Sequence, residues 1–429
     1  MRSRVPLLRD LPREVAVLTV VAFCVALGFG IVLPSIPIFA RTFGVSAFAA
    51  AAVVSVFALV RFVSSPAAGG LVVRLGERNT LAVGLIIVAV SSALAGLAQT
   101  YVQLLILRGF GGFGSAMFTV AAQALILRVT VPEQRGRASA AWSGGFLIGG
   151  VAGPAVGGLV VAWSIRAPFF VYAATVSAAA IVALVFLSAS TLRAREAEVA
   201  RVEAGGSPET ADQPTLRGWP ALREALQLRA YQAALATNMM TGLVTFGLRA
   251  ALIPLFVVEG LRRDASVAAM GFLFAAAAQA AVLIPAGRRT DRVGRRPSIL
   301  IGISMTVVGM VLITGSDAAS NDPASSTTPG VVLFFVAMAV MGFGSAFLSA
   351  APSAVVGDVL RGRKGGSVIA AYQMVSDFGS VIGPLLAGLL VDAFDFDWAF
   401  AVGAGIAALT LIPAIRMPET LSRVPRPTA

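Results

Sequence analysis

Gly112-Phe113-Gly114-Ser115-Ala116 returns 230 residues later as Gly342-Phe343-Gly344-Ser345-Ala346. The same offset carries Gly149-x3-Gly153-Pro154 onto Gly379-x3-Gly383-Pro384. Nearer the N-terminus, Gly69, Arg74 and Gly76 correspond to Gly287, Arg292 and Gly294 at an offset of 218. The two offsets differ by about the length of one polar insert, Ser316–Pro329. Chance matches arise in Gly/Ala-rich sequence, but ordered matches at equivalent places are hard to obtain that way. The chain is two parallel copies of one unit, with one loop extended in the second.

The composition gives the solvent of each copy. Hydrophobic residues make up 57% and charged residues 13% of the 429, with a mean hydropathy of +0.87. Soluble domains carry about 25% charged residues, so lipid must surround most of this chain. A helix crosses the hydrocarbon with roughly 20 apolar residues. Twelve such stretches are predicted, at 15–40, 47–72, 80–99, 102–127, 138–163, 168–188, 231–258, 266–286, 298–315, 330–357, 366–391 and 397–415. The first follows Arg2, Arg4, Arg9 and Arg13 and superficially resembles a signal peptide. It is too long for one, contains Pro34 and Pro37 and lacks a convincing cleavage site, so it counts as a span. The expected fold is an all-α membrane protein of twelve transmembrane helices in two six-helix halves, 1–188 and 229–429. The polar segment 189–228 between them reads as a cytoplasmic linker, partly disordered and partly an interfacial helix.

The net charge of +12 raises nucleic acid as a partner, but the arginines are distributed by topology. They crowd into the N-terminus and every second loop, whereas the alternate loops hold only Arg41, Arg166, Arg262 and Arg263. By the positive-inside rule both termini are cytoplasmic. The acidic trio Asp392, Asp395 and Asp397 then falls outside. Histidine is absent and Cys24 is the single cysteine. That excludes an intrachain disulfide and a Cys/His zinc site. No G-x4-G-K-S/T phosphate loop, metal cluster or nucleophile–base pair is found in the spans, which argues against an ATP-driven pump or a membrane enzyme. A receptor or scaffold would have no need of the repeated loop motifs. No cofactor is expected.

Four motifs resemble the major facilitator superfamily, over essentially the whole chain. The loop between spans 2 and 3, Gly69-Gly70-Leu71-Val72-Val73-Arg74-Leu75-Gly76-Glu77-Arg78, is similar to the family's G-x-L-a-D-r-x-G-r-R/K loop, with Val73 in place of the usual acid. Its second copy, Gly287-Arg288-Arg289-Thr290-Asp291-Arg292-Val293-Gly294-Arg295-Arg296, keeps an acid at Asp291. In the family these loops latch the halves together on the cytoplasmic side. Span 4 carries Arg108-x-x-Gly111-Gly112-x-Gly114. An arginine there costs about 2.5–3.5 kcal/mol on insertion scales and needs a partner or water. The family implies a role in proton transfer for it, against the plainer reading of a structural arginine bonded to carbonyls. Span 5 carries Gly149-x3-Gly153-Pro154-x2-Gly157-Gly158, which resembles the antiporter signature; its echo in span 11 centres on Gly383 and Pro384. Span 1, Leu27-Gly28-Phe29-Gly30-x3-Pro34-x2-Pro37, is similar to the twelve-helix drug/proton antiporters. These carry an acid in span 1, which this chain lacks.

The resemblance implies a secondary transporter working by alternating access, with its cargo site between the halves near the midplane. Candidate proton-coupling residues are Asp377 in span 11, the one carboxylate placed inside a predicted span, and Arg108. Burial raises a carboxyl pKa, which suits Asp377 to a switch near neutral pH. It could equally be a structural acid paired with Arg108 or Arg249. Candidate cargo-cavity residues are Arg61, Arg249, Asn238, Gln123, Gln279, Tyr372, Gln373, Trp142 and Phe246. Individually each reads as packing, a helix–helix hydrogen bond or, for the arginines, a snorkelling or capping group. Together they describe a roomy, mostly apolar site. The expectation is a monomeric exporter of small amphipathic compounds in a bacterial cytoplasmic membrane, driven by protons. The alternatives are an uptake or metabolite facilitator, or a lipid-type transporter, of the same fold.

Overall fold

The computed structural model describes residues 11–161, 163–188, 191–192, 195, 219–320, 328–360 and 366–421. Among these residues the regular structure is helical throughout. Lipid offers no hydrogen bonds to backbone, and a helix satisfies its own. In chain order the first helices are α1 (Arg13–Val32), α2 (Ser35–Arg41), α3 (Ala47–Leu75), α4 (Glu77–Gly96), α5 (Tyr101–Val129), α6 (Pro132–Val161) and α7 (Ala167–Phe186). After the linker come α8 (Trp219–Leu226), α9 (Arg229–Met240), a π-helical stretch (Thr241–Leu248), α10 (Arg249–Leu255) and a second π-helical stretch (Phe256–Gly260). Then follow α11 (Ala265–Arg292), α12 (Arg295–Ser320), α13 (Thr328–Leu360), α14 (Gly366–Ala393) and α15 (Phe396–Arg416).

Eleven helices or helix runs among the described residues are long and apolar enough to cross a membrane. The twelfth predicted span, 138–163, coincides with the 30-residue α6, some of whose side chains fall outside the description. Two helix ends correct the expectation. The α12 helix continues through Ser316 to Ser320, where a polar loop was predicted, and α13 runs on to Leu360. The latter brings Asp358 into a helix, so Asp377 is not alone among helical carboxylates. Much of the linker, 196–218, and residues 321–327 lie outside the described residues. The short α8 occupies the place of the expected interfacial helix.

Local chemistry explains the boundaries. Ser46, Thr100 and Asp395 cap α3, α5 and α15 by accepting from the amides of Ala49, Gln103 and Trp398, as short oxygen-bearing side chains do. Pro34 and Pro37 break the first span into α1 and α2. The turns α3–α4 and α11–α12 pass through Gly76 (φ 78°) and Gly294 (φ 140°). A side chain would be strained there, which accounts for the glycine spacing of both loop motifs.

The chain divides into two compact units. The first comprises 1–212 with 250–258 and 263–273; the second comprises 213–249 with 259–262 and 274–429. Their interiors repeat each other residue by residue. In the first, Ala68, Ala116 and Met117 form a buried cluster that includes Phe113; in the second, Ala286, Ala346 and Phe347 do so with Phe343. A methyl on Gly114 would meet the carbonyl of Gly84, and one on Gly344 would meet that of Gly302 at 2.9 Å. Likewise Gly112 lies against the Phe57 carbonyl and Gly342 against that of Ala275. Every pair obeys the offsets 218 and 230.

Candidate functional site

In the first unit Arg108 lies on α5 and is 2% exposed. Its guanidinium carbon sits 4.5 Å from the Phe57 ring centroid on α3. Phe57 contacts Phe29 of α1 at 5.6 Å, and Phe29 meets Tyr172 of α7 edge-on at 6.1 Å. Arg108 and Arg61 both lie within electrostatic range of the Tyr172 hydroxyl. The Nε of Arg108 has no hydrogen-bond partner, and no carboxylate pairs with it among the described residues. A desolvated cation over an aromatic face gains ~2 kcal/mol; the burial of an unpaired charge costs several. The site therefore holds net unpaid positive charge in an aromatic box. The glycines of the Arg108 motif create it: Gly111 and Gly112 admit Phe57 and its carbonyl against α5.

Elsewhere in this unit Trp142 stacks edge-on against Phe146 at 4.8 Å, and Phe146 reaches Phe118 at 6.1 Å. The indole N–H of Trp142 is buried without an acceptor. Gln123 is exposed on α5.

The glycines of the span-5 motif form a ladder on α6. Gly145, Gly149, Gly153 and Gly157 face the carbonyls of Thr19, Phe23, Leu27 and Ile31 on α1. Both series step by four, so the two helices run parallel in backbone contact. A methyl on Gly153 would lie 2.6 Å from the Leu27 carbonyl, and one on Gly30 would lie 3.1 Å from Pro154. Gly158 is on the same helix, but its surroundings are outside the described residues.

The second unit repeats this seam between α14 and the seventh span. Gly379 faces the Met239 carbonyl, Gly383 that of Leu243, and Gly247 packs on Gly383 and Pro384. On α1 the two residues meeting Gly153 are Leu27 and Gly30, three apart. On the seventh span those meeting Gly383 are Leu243 and Gly247, four apart. The extra residue falls in the π-helix Thr241–Leu248, where a wider turn absorbs a one-residue insertion.

Along the same seam Asn238 donates to the Tyr372 carbonyl at 2.6 Å and Tyr231 to that of Val368 at 2.7 Å. Asp377 is half-buried on α14, and Ser380 donates to its backbone carbonyl at 2.7 Å. Arg249 follows the π-helix directly, and its buried Nε lacks a partner. Neither Arg249 nor Arg108 makes an ion pair with a carboxylate of its own unit among the described residues. Phe246 and Gln373 are exposed, Gln279 half-buried.

At the loop motifs, Gly69 and Gly287 have open space around them and Arg74 and Arg292 are exposed. Their neighbours carry the contacts. Glu77 pairs with Arg128 in the first unit. In the second, Arg295 binds Asp358 at 3.0 Å and Asp291 at 3.4 Å. Glu419 accepts from the amides of Arg295 and Arg296 at 2.8 and 3.1 Å, closing the C-terminal segment over the start of α12. Burial alone would raise the Glu419 carboxyl. The amides of Arg295, Leu421, Arg296 and Thr420 outweigh that and hold it below its ordinary value.

Sequence reasoning named Arg108, Asn238 and Tyr372 and did not find Phe57, Tyr172 or Tyr231, which join them. Phe57 gives no signal, being one apolar residue among many. Tyr172 and Tyr231 could have been noticed, since the chain has only four tyrosines.

The sequence model of the Major Facilitator Superfamily matches residues 18–277 and 236–429. Multidrug resistance protein 1 of Bacillus subtilis is 34% identical over 169 residues, 38% of this chain and 42% of that protein. Quinolone resistance protein NorA of Staphylococcus aureus is 29% identical over 162 residues, 37% of this chain and 41% of that protein. The alignments thus span about two fifths of these relatives' lengths. In fold the chain is similar to a POT family transporter crystallised with 5-aminolevulinic acid (TM-score 0.70, 11% identity, 94% of this chain and 96% of that one). It is also similar to a bacterial homologue of the human lysosomal transporter Spinster (TM-score 0.65, 17% identity, 94% of each chain).

Proposed function

The chain belongs to the Major Facilitator Superfamily, and from that premise we propose that it exports small amphipathic organic compounds in exchange for protons. It is a multi-pass membrane transporter. The observation that best supports export is the seam between α1 and α6: every glycine of the span-5 signature with described surroundings seats against an α1 carbonyl. Backbone packing of this kind leaves no side-chain interdigitation to resist sliding or bending, and Pro154 adds a bend. The names of the bacterial relatives, multidrug and quinolone resistance, point the same way.

In this mechanism each half bends at its own seam while the two halves rock, exposing one cavity alternately to each side. Protons enter from outside and neutralise Asp377, which shifts the balance between the two states. The basic loops place both termini in the cytoplasm, and one chain is the working unit. Arg108, a buried cation without a carboxylate, favours neutral or anionic cargo over the cations that an acid in span 1 would attract.

The test uses inside-out vesicles with acidified lumens and a panel of hydrophobic drugs, neutral, anionic and cationic. Exporter activity appears as drug-dependent proton release by the wild type, reduced at least tenfold in Asp377→Asn. Silence of the wild type towards every drug, with vesicles shown to hold the protein, would replace efflux by a narrow metabolite or lipid transporter. Equal release by Asp377→Asn would remove that residue from coupling.

A further inference from the structure

At one end of the second unit, a cavity of about 450 Å³ opens between α9 and α15, lined by Arg229, Gln232, Ile412, Pro413 and Arg416. Arg229 is the first residue of α9 and Arg416 the last of α15. Two cations therefore stand at adjacent helix ends, facing one hollow. Neither has a hydrogen bond or ion pair with any described residue. Like charges placed so repel one another, and a divalent or shared anion between them would turn that repulsion into attraction.

The neighbours define what kind of anion fits. Leu409, Ile412 and Arg416 lie three and four residues apart on α15, one above the other on a single face. Leu409 and Ile412 are 65% and 46% exposed. An apolar track thus leads along the membrane-spanning helix to a cation at its end. On the other side α8 ends in exposed Leu226 and is followed by exposed Leu228. Gln232 fastens α8 to the rim by donating to the Leu226 carbonyl at 2.8 Å. Arg223 of α8 adds a further positive charge, and Glu224 beside it a negative one. Apolar surface below, paired cations at the level of the headgroups and a short helix lying alongside match the shape of a phospholipid.

We propose that this hollow is a binding site for an anionic phospholipid, with the phosphate held between Arg229 and Arg416 and one acyl chain laid along Leu409 and Ile412. Basic pockets between membrane helices recognise such headgroups by charge. The placement of the lipid in the cytoplasmic leaflet rests on the topology given above; the site itself does not depend on cargo or on proton coupling.

The experiment is native mass spectrometry of the full-length, delipidated protein in detergent, titrated with phosphatidylglycerol, phosphatidylcholine or inorganic phosphate. Phosphatidylglycerol should be retained at least tenfold more tightly than phosphatidylcholine. Arg229→Gln/Arg416→Gln should lose that preference, whereas Arg416→Lys should keep most of it. If the double variant does not fold, each single glutamine variant should show a loss of about threefold or more. Equal retention of the two lipids, or an unchanged preference in the glutamine variants, would overturn the proposal. Displacement of the lipid by millimolar phosphate would show a small-anion site instead. Because binding is read in detergent without transport, its failure leaves the exporter proposal untouched, and the reverse also holds.

Discussion

Arg108 is the residue at which two physical effects can be separated. If it were a structural arginine bonded to carbonyls, its removal would lower stability. The structure gives it an aromatic face and an unpartnered Nε instead. The ~2 kcal/mol available from a desolvated cation–π contact is smaller than the several kcal/mol that an unpaired buried charge costs. Arg108→Gln is therefore expected to leave Tm in detergent unchanged or raised, while drug-dependent proton release falls at least tenfold. A drop in Tm of several degrees would mark the arginine as structural. Sequence alone named this residue because a charge inside an apolar run stands out. It could not supply Phe57, whose partnership depends on the close approach of α3 that Gly112 allows.

The elements were legible to the extent that chemistry repeats along the chain. Apolar stretches of spanning length gave the helices, and the loop glycines marked turns with positive φ at Gly76 and Gly294. Helix ends were less legible: Ser316 and Asp358 are polar, yet α12 and α13 continue past them because each finds a partner there, the buried Ser316 donating to the Ile313 carbonyl of its own helix and Asp358 pairing with Arg295. The π-helix was illegible, since one extra residue in the apolar run Thr241–Leu248 changes neither composition nor length noticeably. It emerges only when Leu243 and Gly247 are set against Leu27 and Gly30. Deletion of Thr245 should restore three-residue spacing and a regular helix while keeping both contacts with Gly383. The shortened protein is expected to insert and melt within a few degrees of the wild type, because π-helical turns are rarely retained for stability. Its transport should fall at least tenfold if the wider turn is where the seventh span flexes. Full activity would make the π-helix a tolerated insertion.

Across the whole molecule the repeat was the most legible feature, and it exposes a difference that neither copy shows alone. At the offsets 218 and 230, Glu77 corresponds to Arg295 and Arg128 to Asp358. Each unit keeps an ion pair at this position, but the polarity is inverted: the acid precedes the base in the first and follows it in the second. What is preserved is a neutral link between the helix after the loop glycine and the helix that follows it; which partner carries the cation is free. That predicts a tolerated swap. Arg128 is 37% exposed and Glu77 17%, so the pair is screened and worth only ~1 kcal/mol or less. Glu77→Arg should set two cations together, and Arg128→Glu two anions, each lowering Tm in detergent by a few degrees. The double variant Glu77→Arg/Arg128→Glu, which gives the first unit the polarity of the second, should recover most of the loss. A double variant no more stable than the sum of its parts would mean that the glutamate acts chiefly on the N-terminal amides of α4, where a negative charge is favoured and an arginine is not. The recurrence of the pair in the second unit would then reflect the additional hold of Asp291 and Glu419 on Arg295 and its amide.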